Sequence, residues 1–331
     1  MPVSVEWFND LDAVAADAAG ALDRAHQPSL YDRLDWFRLT RAHVLPDAKP
    51  TILRVRKDDA AAWLFLIETG RRTAAPLASW YTLRFAPILA GPNAEALLPA
   101  LFAALAKRYD RVALHPLAAP VAATGWRTYP SRASINWTID LPAPDFDAYW
   151  AARPKPLRNT VARKGRSHPL DIQLLDHFDP AVWADYEDIY AASWKPAEGS
   201  LAFLRALAEQ EAAAGTLRLG IARDTSGRAI AAQFWLIEDG IATIHKLAHR
   251  EDAKAGSPGS LLSQAMFRAA IADDHVHRID FGLGNEPYKA DWVDTPNAVW
   301  RTDLYRPASL RGLSGIARET ASRLARRRLL D

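Results

Sequence analysis

Residues 216–248 read TLRLGIARDTSGRAIAAQFWLIEDGIATIHKLA, and this stretch decides the fold. Its apolar and β-branched runs predict three strands, over 216–223, 229–237 and 241–248. The triplet Thr225-Ser226-Gly227 is a turn signal, so the first two strands are expected to pair as an antiparallel hairpin. The second half of the chain is therefore built around a mostly antiparallel sheet.

The segments on either side extend this sheet. Helices are predicted at 181–194 and 201–214 before the three strands, and at 260–272 after them. A strand at 278–281, a helical turn around 286–292 and a strand at 299–305 follow. A helix that crosses over to a further strand implies a mixed sheet with helices on both faces.

The first half of the chain repeats this order of elements. The predicted elements are a strand at 3–8, helices at 11–26 and 34–44, strands at 51–56, 63–68 and 79–85, a helix at 94–109 capped by Asn93, and strands at 112–115 and 134–140. The residues themselves do not repeat, so the repeat is structural. We predict an α/β fold of two tandem domains, residues 1–150 and 151–306, divided near Pro154 and Pro156, and a basic helix over 307–331.

Composition excludes several classes of protein. The 331 residues are 49% hydrophobic and 24% charged, which excludes a disordered chain. Cysteine is absent, which excludes disulfides, thiolate zinc sites and cysteine nucleophiles. No run approaches the ~20 apolar residues that span a bilayer, and the first residues lack the parts of a signal peptide. We expect a cytoplasmic protein.

Charge is distributed unevenly along the chain. The net charge is +2, yet residues 306–331 contain seven arginines against Glu319 and Asp331. The rest is slightly acidic and holds no DNA-reading motif, so no DNA partner is expected. On a helix, the tail has an apolar stripe formed by Leu310, Leu313, Ile316, Ala317, Thr320 and Leu324. This helix either docks on its own domain or lies on the inner face of an anionic membrane.

Common catalytic motifs are missing. The sequence has no G-x-S-x-G elbow, no Walker loop, no complete G-x-G-x-x-G and no H-E-x-x-H. His245 and His249 are expected on a strand, where their spacing gives no shared metal geometry. His275 and His277 could share one side of a strand near Asp273 and Asp274, but a solvated surface is favoured there over a metal site, so we expect no metal. A candidate site must therefore be found among less familiar groups of residues.

The first candidate is the loop that precedes the helix at 260–272. Ser257 is expected to cap the helix, and Pro258 suits its first position. Gly256 and Gly259 would let a ligand approach the backbone, so the helix start suits a pyrophosphate. The alternative is an ordinary capped helix.

The second candidate follows the strand at 278–281. Its reactive residues are Asp280, Glu286, Tyr288, Lys289 and Trp292, interleaved with Gly282 and Gly284. Such strand ends hold ligands in α/β sheets. The alternative is a turn around a buried tryptophan, with Asp280 bonded to nearby N–H groups.

Two further groups lie earlier in the second half. Six cations occur between residues 151 and 169 without a carboxylate, and they suit either phosphate or a solvated helix face. They are Arg153, Lys155, Arg158, Arg163, Lys164 and Arg166. The segment Ser193-Trp194-Lys195-Pro196-Ala197-Glu198 is the last group, in which Glu198 is either a base or ligand, or a surface residue.

The spacing of these groups resembles a known family. Lys246, Ser257-Pro258-Gly259, Asp280-Phe281-Gly282-x-Gly284 and Tyr288-Lys289-x-x-Trp292 are similar in spacing to the CelD/BcsL-type acetyltransferases. Those are GNAT-like proteins related to the FemAB peptidoglycan aminoacyltransferases. The basic stretch and Ser193-Trp194-Lys195 also match, so the resemblance covers roughly residues 150–306, and the first half matches only in element order.

The resemblance implies transfer of an acetyl or other acyl group from acyl-CoA, the expected co-substrate, to an amine. The acceptor would be an amino sugar or another small or lipid-linked precursor of the cell envelope or exopolysaccharide. The residues that it assigns to the donor are Leu247, Ala248 and His249 for the thioester carbonyl, and Lys254, Gly256, Ser257, Gly259 and Ser260 for the pyrophosphate. Those that it assigns to the acceptor are Trp194, Lys195, Glu198, Gln233, Lys246, Lys289 and Trp292.

By the same resemblance, Tyr288 occupies the position of a tyrosine that protonates the departing thiolate. The amine must lose a proton to attack, and the base remains open among Asp280, Glu286, Glu198 and His245. The loop reads Lys254-x-x-Ser257-x-Gly259, whereas the GNAT pattern is Gln/Arg-x-x-Gly-x-Gly/Ala. A FemAB-like transferase that takes aminoacyl-tRNA is therefore an alternative, and a non-catalytic, membrane-docked scaffold in polysaccharide synthesis is a third.

Overall fold

A computed structural model of the chain describes residues 2–328, which form thirteen strands and nine α-helices. The strands are β1 (Ser4–Phe8), β2 (Pro50–Lys57), β3 (Ala60–Gly70), β4 (Thr73–Pro76), β5 (Ile88–Ala90), β6 (Arg111–Leu117), β7 (Arg127–Asp140), β8 (Asp171–Leu175), β9 (Leu217–Arg223), β10 (Ala229–Glu238), β11 (Ile241–His249), β12 (Arg278–Leu283) and β13 (Thr295–Tyr305). The helices are α1 (Leu11–Ala18), α2 (Leu34–His43), α3 (Leu98–Arg108), α4 (Phe146–Ala151), α5 (Lys155–Ser167), α6 (Pro180–Ala191), α7 (Leu201–Ala213), α8 (Pro258–Arg268) and α9 (Leu310–Arg328).

The chain divides into two compact units. The first consists of Met1–Ser134 and Ala298–Asp331, and the second of Ile135–Asn297. The boundary predicted near residue 150 falls inside the second unit, between α4 and α5. Its two prolines begin a helix instead of breaking one: Pro154 precedes α5 and Pro156 lies in the first turn, where a missing N–H costs no hydrogen bond.

The first unit holds a mixed sheet. Its strands lie in the order β1-β2-β3-β4-β6, with β13 beside β6 and β5 paired to β3. Only β4 and β6 run parallel; the other pairs are antiparallel. Helix α3 packs on this sheet through its apolar stripe, and Leu101 and Leu105 are fully buried against Leu53, Leu64 and Leu114. The predicted α/β class is confirmed.

Some elements predicted in the first half differ. Residues 79–85 form a turn instead of a strand, because the Ser79 amide donates to Oγ1 of Thr82, and the Thr82 amide donates to the Ser79 carbonyl. The predicted helix at 11–26 ends at Ala18, where Ala19 takes the left-handed conformation (φ 48°). Asn93 makes no capping hydrogen bond, and a short 3-10 turn, Ala94–Leu97, precedes α3. These endings depend on local backbone geometry that hydrophobic periodicity does not encode.

The second unit confirms the three-stranded prediction. Strands β9, β10 and β11 are successive antiparallel neighbours, and α8 crosses over to β12, which lies parallel to β11. The β9–β10 turn is held by Asp224, whose Oδ1 accepts from the Ser226 and Arg228 amides. Residues 135–140 of β7 lie beside β12, and β8 forms the opposite edge of this part of the sheet. A buried cluster that includes Trp235, Leu262 and Phe267 joins α8 to the sheet.

Candidate functional site

The parallel strands β11 and β12 separate partway along their length. They pair only through residues 241–243 and 278–280, from Ile241↔Arg278 to Thr243↔Asp280. Beyond this point β11 continues to His249 and β12 to Leu283, without further pairing between the two described strands. The divergence leaves a wedge-shaped opening between them, which we call the β11–β12 opening.

A β-bulge lies at the start of the diverging part of β11. Lys246 is opposite Phe234 and Ile244 is opposite Trp235, so His245 is an extra residue on β11. The Arg250 amide donates to the Ile230 carbonyl of β10 at 2.9 Å.

Successive amides of a strand point to opposite edges. With the Arg250 amide directed at β10, the amides of Lys246 and Ala248 also face β10. Those of Leu247 and His249 face the β11–β12 opening. Backbone N–H groups thus face this opening at two of the three residues that the resemblance assigns to a thioester carbonyl.

The start of α8 lies beside the end of β11. Gly259 is in the first turn of α8, and a Cβ atom placed on it would lie 3.0 Å from Nδ1 of His249. The absence of a side chain therefore permits this close approach. Lys254, in the preceding 3-10 turn, is exposed and bonds to Glu251 at 2.9 Å. Ser260 follows Gly259 in the same first turn.

Ser257 does not cap α8 with its side chain, so that prediction is wrong. Its backbone is left-handed (φ 54°, ψ 44°), whereas a capping serine needs an extended backbone for its hydroxyl to reach the next turn. The left-handed residue instead turns the chain sharply between the 3-10 turn Glu251–Gly256 and α8. The loop keeps the position expected of a phosphate cradle, but by a different backbone geometry.

The basic stretch divides into two parts with different surroundings. Arg153 is buried and donates to the Trp292 carbonyl at 3.0 Å, so it is a structural residue. The later cations, Arg163, Lys164 and Arg166, lie at the end of α5. This end is beside the loop before α8, since a Cβ atom on Gly256 would lie 3.4 Å from the His168 ring. The end of α5 that carries these three cations therefore lies near the loop before α8.

The connection between α6 and α7 brings three predicted acceptor residues to the end of β11. Glu198 has only 4% of its side chain exposed, and its Oε2 lies 2.8 Å from Nζ of Lys246. Trp194 is partly exposed and packs on the His249 ring, with 4.2 Å between centroids. Burial, and then the Glu198 carboxylate, raise the pKa of the Tyr190 hydroxyl, which is hydrogen-bonded to Glu198. The predicted grouping of Trp194, Glu198 and Lys246 is present.

Lys195 lies in the same cluster, with its ammonium 6.0 Å from the Tyr190 ring centroid and 5.7 Å from that of Trp194. Burial and the nearby Lys246 charge lower the pKa of Lys195 to about 8, against the opposing effect of Glu198 and Glu286. Close to neutral pH this side chain therefore exists partly as a free amine.

We expect this pKa to be visible in the chemical reactivity of Lys195. Only the neutral amine reacts with acetic anhydride, and an ordinary lysine titrates near pH 10.4. Competitive labelling of Lys195, followed by peptide mass spectrometry, should rise with an inflection near pH 8. The exposed Lys254 is the internal reference. Labelling of Lys195 that keeps rising to pH 10 like a solvated lysine would contradict the prediction.

The end of β12 is fixed by Asp280. Its Oδ1 accepts from the Gly282 amide at 2.8 Å, and its Oδ2 accepts from Nδ2 of Asn136 at 3.0 Å. Burial raises the pKa of Asp280 despite these bonds. The backbone of Gly282 has a positive φ of 76°, which glycine adopts readily because it has no Cβ atom. The alternative assigned from the sequence, a carboxylate that braces the turn, describes Asp280 better than a general base does.

Glu286, Tyr288 and Lys289 follow on the next turn. Lys289 is buried, donates to the Leu283 carbonyl at 2.6 Å and pairs with Glu286 at 3.0 Å, so it also braces the turn. Burial, and then the Glu286 charge, raise the pKa of Tyr288 to about 12. The Tyr288 ring contacts Phe281 edge-on and is partly exposed. The Tyr288 side chain is therefore partly accessible, and its hydroxyl stays protonated at neutral pH.

Glu286 and His245 differ as bases. Burial acts to raise the pKa of Glu286, but bonds to its own amide and to Lys289 outweigh it and leave the pKa below its usual value. Burial and the Lys246 charge lower the pKa of His245 to about 3. Neutral His245 is thus a very weak base, whereas Glu286 is an accessible, ionised carboxylate.

Two residues predicted to bind the acceptor lie in the core instead. Gln233 is 1% exposed: its Nε2 donates to Oγ of Ser263 at 2.7 Å, and its Oε1 accepts from Nε1 of Trp235 at 2.8 Å. Trp292 is buried against Phe267, and its carbonyl accepts from the Tyr149 hydroxyl. Both were assigned by spacing alone, which does not distinguish a lining residue from the one that supports it.

Replacing Gln233 by alanine should therefore affect stability. The change leaves buried Trp235 Nε1 and Ser263 Oγ without their partner, which costs about 2 kcal/mol of unfolding free energy. Urea unfolding followed by tryptophan fluorescence measures this. Gln173→Ala on the exposed edge strand β8 is the control, expected to change little. An unchanged unfolding free energy in Gln233→Ala would refute the structural role.

The sequence reasoning missed three residues of the site. Tyr190 contacts Glu198, Asn136 orients Asp280, and Tyr149 supports the Trp292 backbone. Tyr190 alone had a usable signal, because it lies one turn before Trp194 in the helix predicted over 181–194 and so on the same side of it. Asn136 and Tyr149 are brought in from distant parts of the sequence.

Neither a metal centre nor a membrane span is found in the part of the chain that the structure describes. Within residues 2–328, no group of three or more His, Asp or Glu side chains is arranged to hold a metal ion. Among the helices of the same residues, none combines the length and apolar character needed to cross a bilayer.

Several solved structures have a fold similar to that of this chain. The chain is similar in fold to a conserved protein of unknown function from Bacteroides thetaiotaomicron (TM-score 0.57, 11% identity, covering 91% of this chain and 100% of that one). It is also similar in fold to the C-terminal domain of a protein described as a lysylphosphatidylglycerol synthetase from Agrobacterium fabrum (TM-score 0.56, 13% identity, covering 93% of this chain and 96% of that one). FemX has a similar fold as well, with a TM-score of 0.55 and 10% identity, and the match covers 90% of this chain and 96% of FemX. At these identities, the likeness shows the fold alone.

Sequence comparison adds one similarity, to a segment of the chain. No curated protein matches the chain significantly. Residues 155–290 match the family model described as acetyltransferase (GNAT) domain, and this match lies within the second unit, from the start of α5 to the turn after β12. Over these residues, the second unit is thus similar to the GNAT acetyltransferase domain.

Proposed function

We propose that this protein is an N-acyltransferase that moves an acetyl or other acyl group from acyl-CoA to an amine. The observation that carries the proposal is the divergence of β11 and β12 beside the bulge at His245. It directs the Leu247 and His249 amides into an opening next to the start of α8. Fixed backbone donors of this kind stabilise the oxyanion that forms when a thioester is attacked.

Acyl-CoA fits the polar groups around this opening. The carbonyl oxygen of the thioester would accept from the Leu247 and His249 amides. The pyrophosphate would lie at the first turn of α8, near Gly259, where the helix dipole favours an anion. Arg163, Lys164 and Arg166 at the end of α5 would neutralise the remaining phosphate charge.

The reaction would proceed by direct attack. The acceptor ammonium gives a proton to the Glu286 carboxylate, and the resulting amine nitrogen bonds to the thioester carbon. The nitrogen, positively charged once it has bonded to carbon, releases its extra proton to solvent, and protonated Glu286 does the same. The carbon–sulfur bond breaks, and the thiolate takes the proton of the Tyr288 hydroxyl, which is restored from solvent. Glu198 and Trp194 would hold the acceptor, because a buried carboxylate beside an exposed indole suits a polar ring that carries an ammonium group.

The acceptor that we favour is an amino sugar or a related precursor of the cell envelope or exopolysaccharide. This follows the resemblance to the CelD/BcsL-type acetyltransferases, and it fits the carboxylates and the indole around the cluster at the end of β11. Release of CoA from acetyl-CoA, measured with a panel of amino sugars that begins with glucosamine, ranks the candidates.

The first experiment is calorimetric titration with acetyl-CoA and with free CoA. We expect micromolar binding of both, weakened several-fold by Lys254→Ala, since this exposed cation lies in the loop before α8. If the folded protein binds neither compound, the CoA donor is refuted.

The cations of α5 also favour a second candidate, a transferase that uses aminoacyl-tRNA as FemAB-type enzymes do. Contacts to several tRNA phosphates would make the affinity fall steeply with salt. Filter binding of aminoacyl-tRNA between 50 and 300 mM salt tests this candidate. A flat response, or no binding at low salt, would exclude it.

A further inference from the structure

Helix α9 packs on the first unit through its glycines. A Cβ atom placed on Gly312 would lie 1.8 Å from the Arg306 carbonyl oxygen, and one on Gly315 would lie 2.3 Å from the Tyr305 ring. Further along, the Tyr129 hydroxyl lies 2.9 Å from Oγ1 of Thr320. These contacts of α9 are therefore made by small and polar residues, and at Gly312 the helix lies so close to the Arg306 backbone that no larger residue fits.

The leucines of α9 are left on the opposite face. Leu310, Leu313 and Leu324 are 87%, 50% and 56% exposed. At 100° per residue these leucines, with Ala317 and Ala321 between them, fall within a sector of about 80°. The leucines and Ala317 of the stripe read from the sequence thus lie on the exposed side of α9, whereas Ile316 is half-buried and Thr320 contacts Tyr129.

Arginines accompany this leucine face. Arg311 and Arg318 are exposed on its flank, and Arg318 forms no ion pair with any residue between 2 and 328. In the sequence, three consecutive arginines at 326–328 follow. The segment from Arg306 to Asp331 holds seven arginines against two carboxylates. A partner for this face must therefore accept leucine side chains and supply negative charge around them.

We propose that α9 docks the protein on an anionic membrane surface. The leucines would enter the boundary between headgroups and acyl chains, and the flanking arginines would lie at the lipid phosphates. A second copy of the chain is a poorer partner, because pairing two such faces brings like charges together. This inference concerns location and is independent of the acyl-transfer proposal.

Vesicle flotation tests the inference with the full chain. We expect flotation with vesicles of phosphatidylcholine containing 30% phosphatidylglycerol, and little with phosphatidylcholine alone. The triple variant Leu310→Ser/Leu313→Ser/Leu324→Ser should reduce the bound fraction at least about tenfold. Arg311→Gln/Arg318→Gln should weaken binding and its salt dependence. The matched control is Leu201→Ser, an exposed leucine at the start of α7 that should leave flotation unchanged.

The results of these experiments distinguish an anionic membrane from a second copy of the chain as the partner of α9. Absence of flotation with anionic vesicles, or flotation that the triple serine variant retains, would overturn the proposal. So would a dimer in solution that the triple serine variant converts to monomer, because the leucine face would then be covered by a second copy. The leucines are exposed, so circular dichroism of the variants should match that of the parent protein.

Discussion

Replacement of Tyr288 by phenylalanine is expected to lower kcat about a hundredfold, which is typical of removing a general acid. The change deletes only the hydroxyl oxygen and leaves the edge-on ring contact with Phe281. Affinity for acyl-CoA should stay nearly constant, since the phenol acts on the departing sulfur and not on the bound donor. CoA release from acetyl-CoA measures kcat, and calorimetry measures donor affinity.

The pH profile gives this prediction a second readout. Because the pKa of Tyr288 is raised to about 12, the hydroxyl keeps its proton through the range of an ordinary assay. The rate should therefore show no decline from tyrosine ionisation below pH 10. Normal turnover in Tyr288→Phe would remove the residue from the mechanism. A decline below pH 10 that disappears in the variant would contradict the raised pKa.

Replacement of Gly259 by tryptophan should abolish most donor binding, with a rise in Kd of at least about a hundredfold. Two charge-assisted hydrogen bonds to a pyrophosphate are together worth about 3 kcal/mol, which corresponds to that factor. The new side chain would cover the first turn of α8, and its Cβ atom would already be 3.0 Å from Nδ1 of His249. Calorimetry with acetyl-CoA measures the change.

Helix α6 supplies a matched control for this substitution. It also begins with proline followed by a small residue, Pro180 and Ala181, and Ala181 is exposed. Ala181→Trp should leave donor affinity unchanged, because no ligand is expected at that helix start. If both variants bind acetyl-CoA like the parent protein, the donor does not use the start of α8.

The elements that could be predicted are those whose signals are local. The β9–β10 turn follows from Thr225-Ser226-Gly227, and the three strands follow from their composition. Residues 79–85 were misassigned because buried aromatics such as Tyr81 look the same in a strand and in a packed turn. The predicted boundary near Pro154 also differs from the division into compact units, since proline marks a helix start as readily as a linker.

The site was predictable in position but not in roles. Spacing located Trp194, Glu198 and Lys246, which the fold brings together. It did not separate Tyr288, which is accessible, from Trp292, which is buried four residues later. Such roles depend on contacts between distant segments, as in the bond from Asn136 to Asp280, and a single sequence does not record those contacts.

Because of the bulge at His245, the β11–β12 opening depends on the number of residues in β11. A substitution there would change one side chain, yet two residues of β11 would still face one residue of β10. Deletion of one residue would restore a regular ladder, remove the local bend and straighten the edge that now diverges from β12. The separation of β11 and β12 therefore depends on the number of residues in β11 more than on the identity of any one of them.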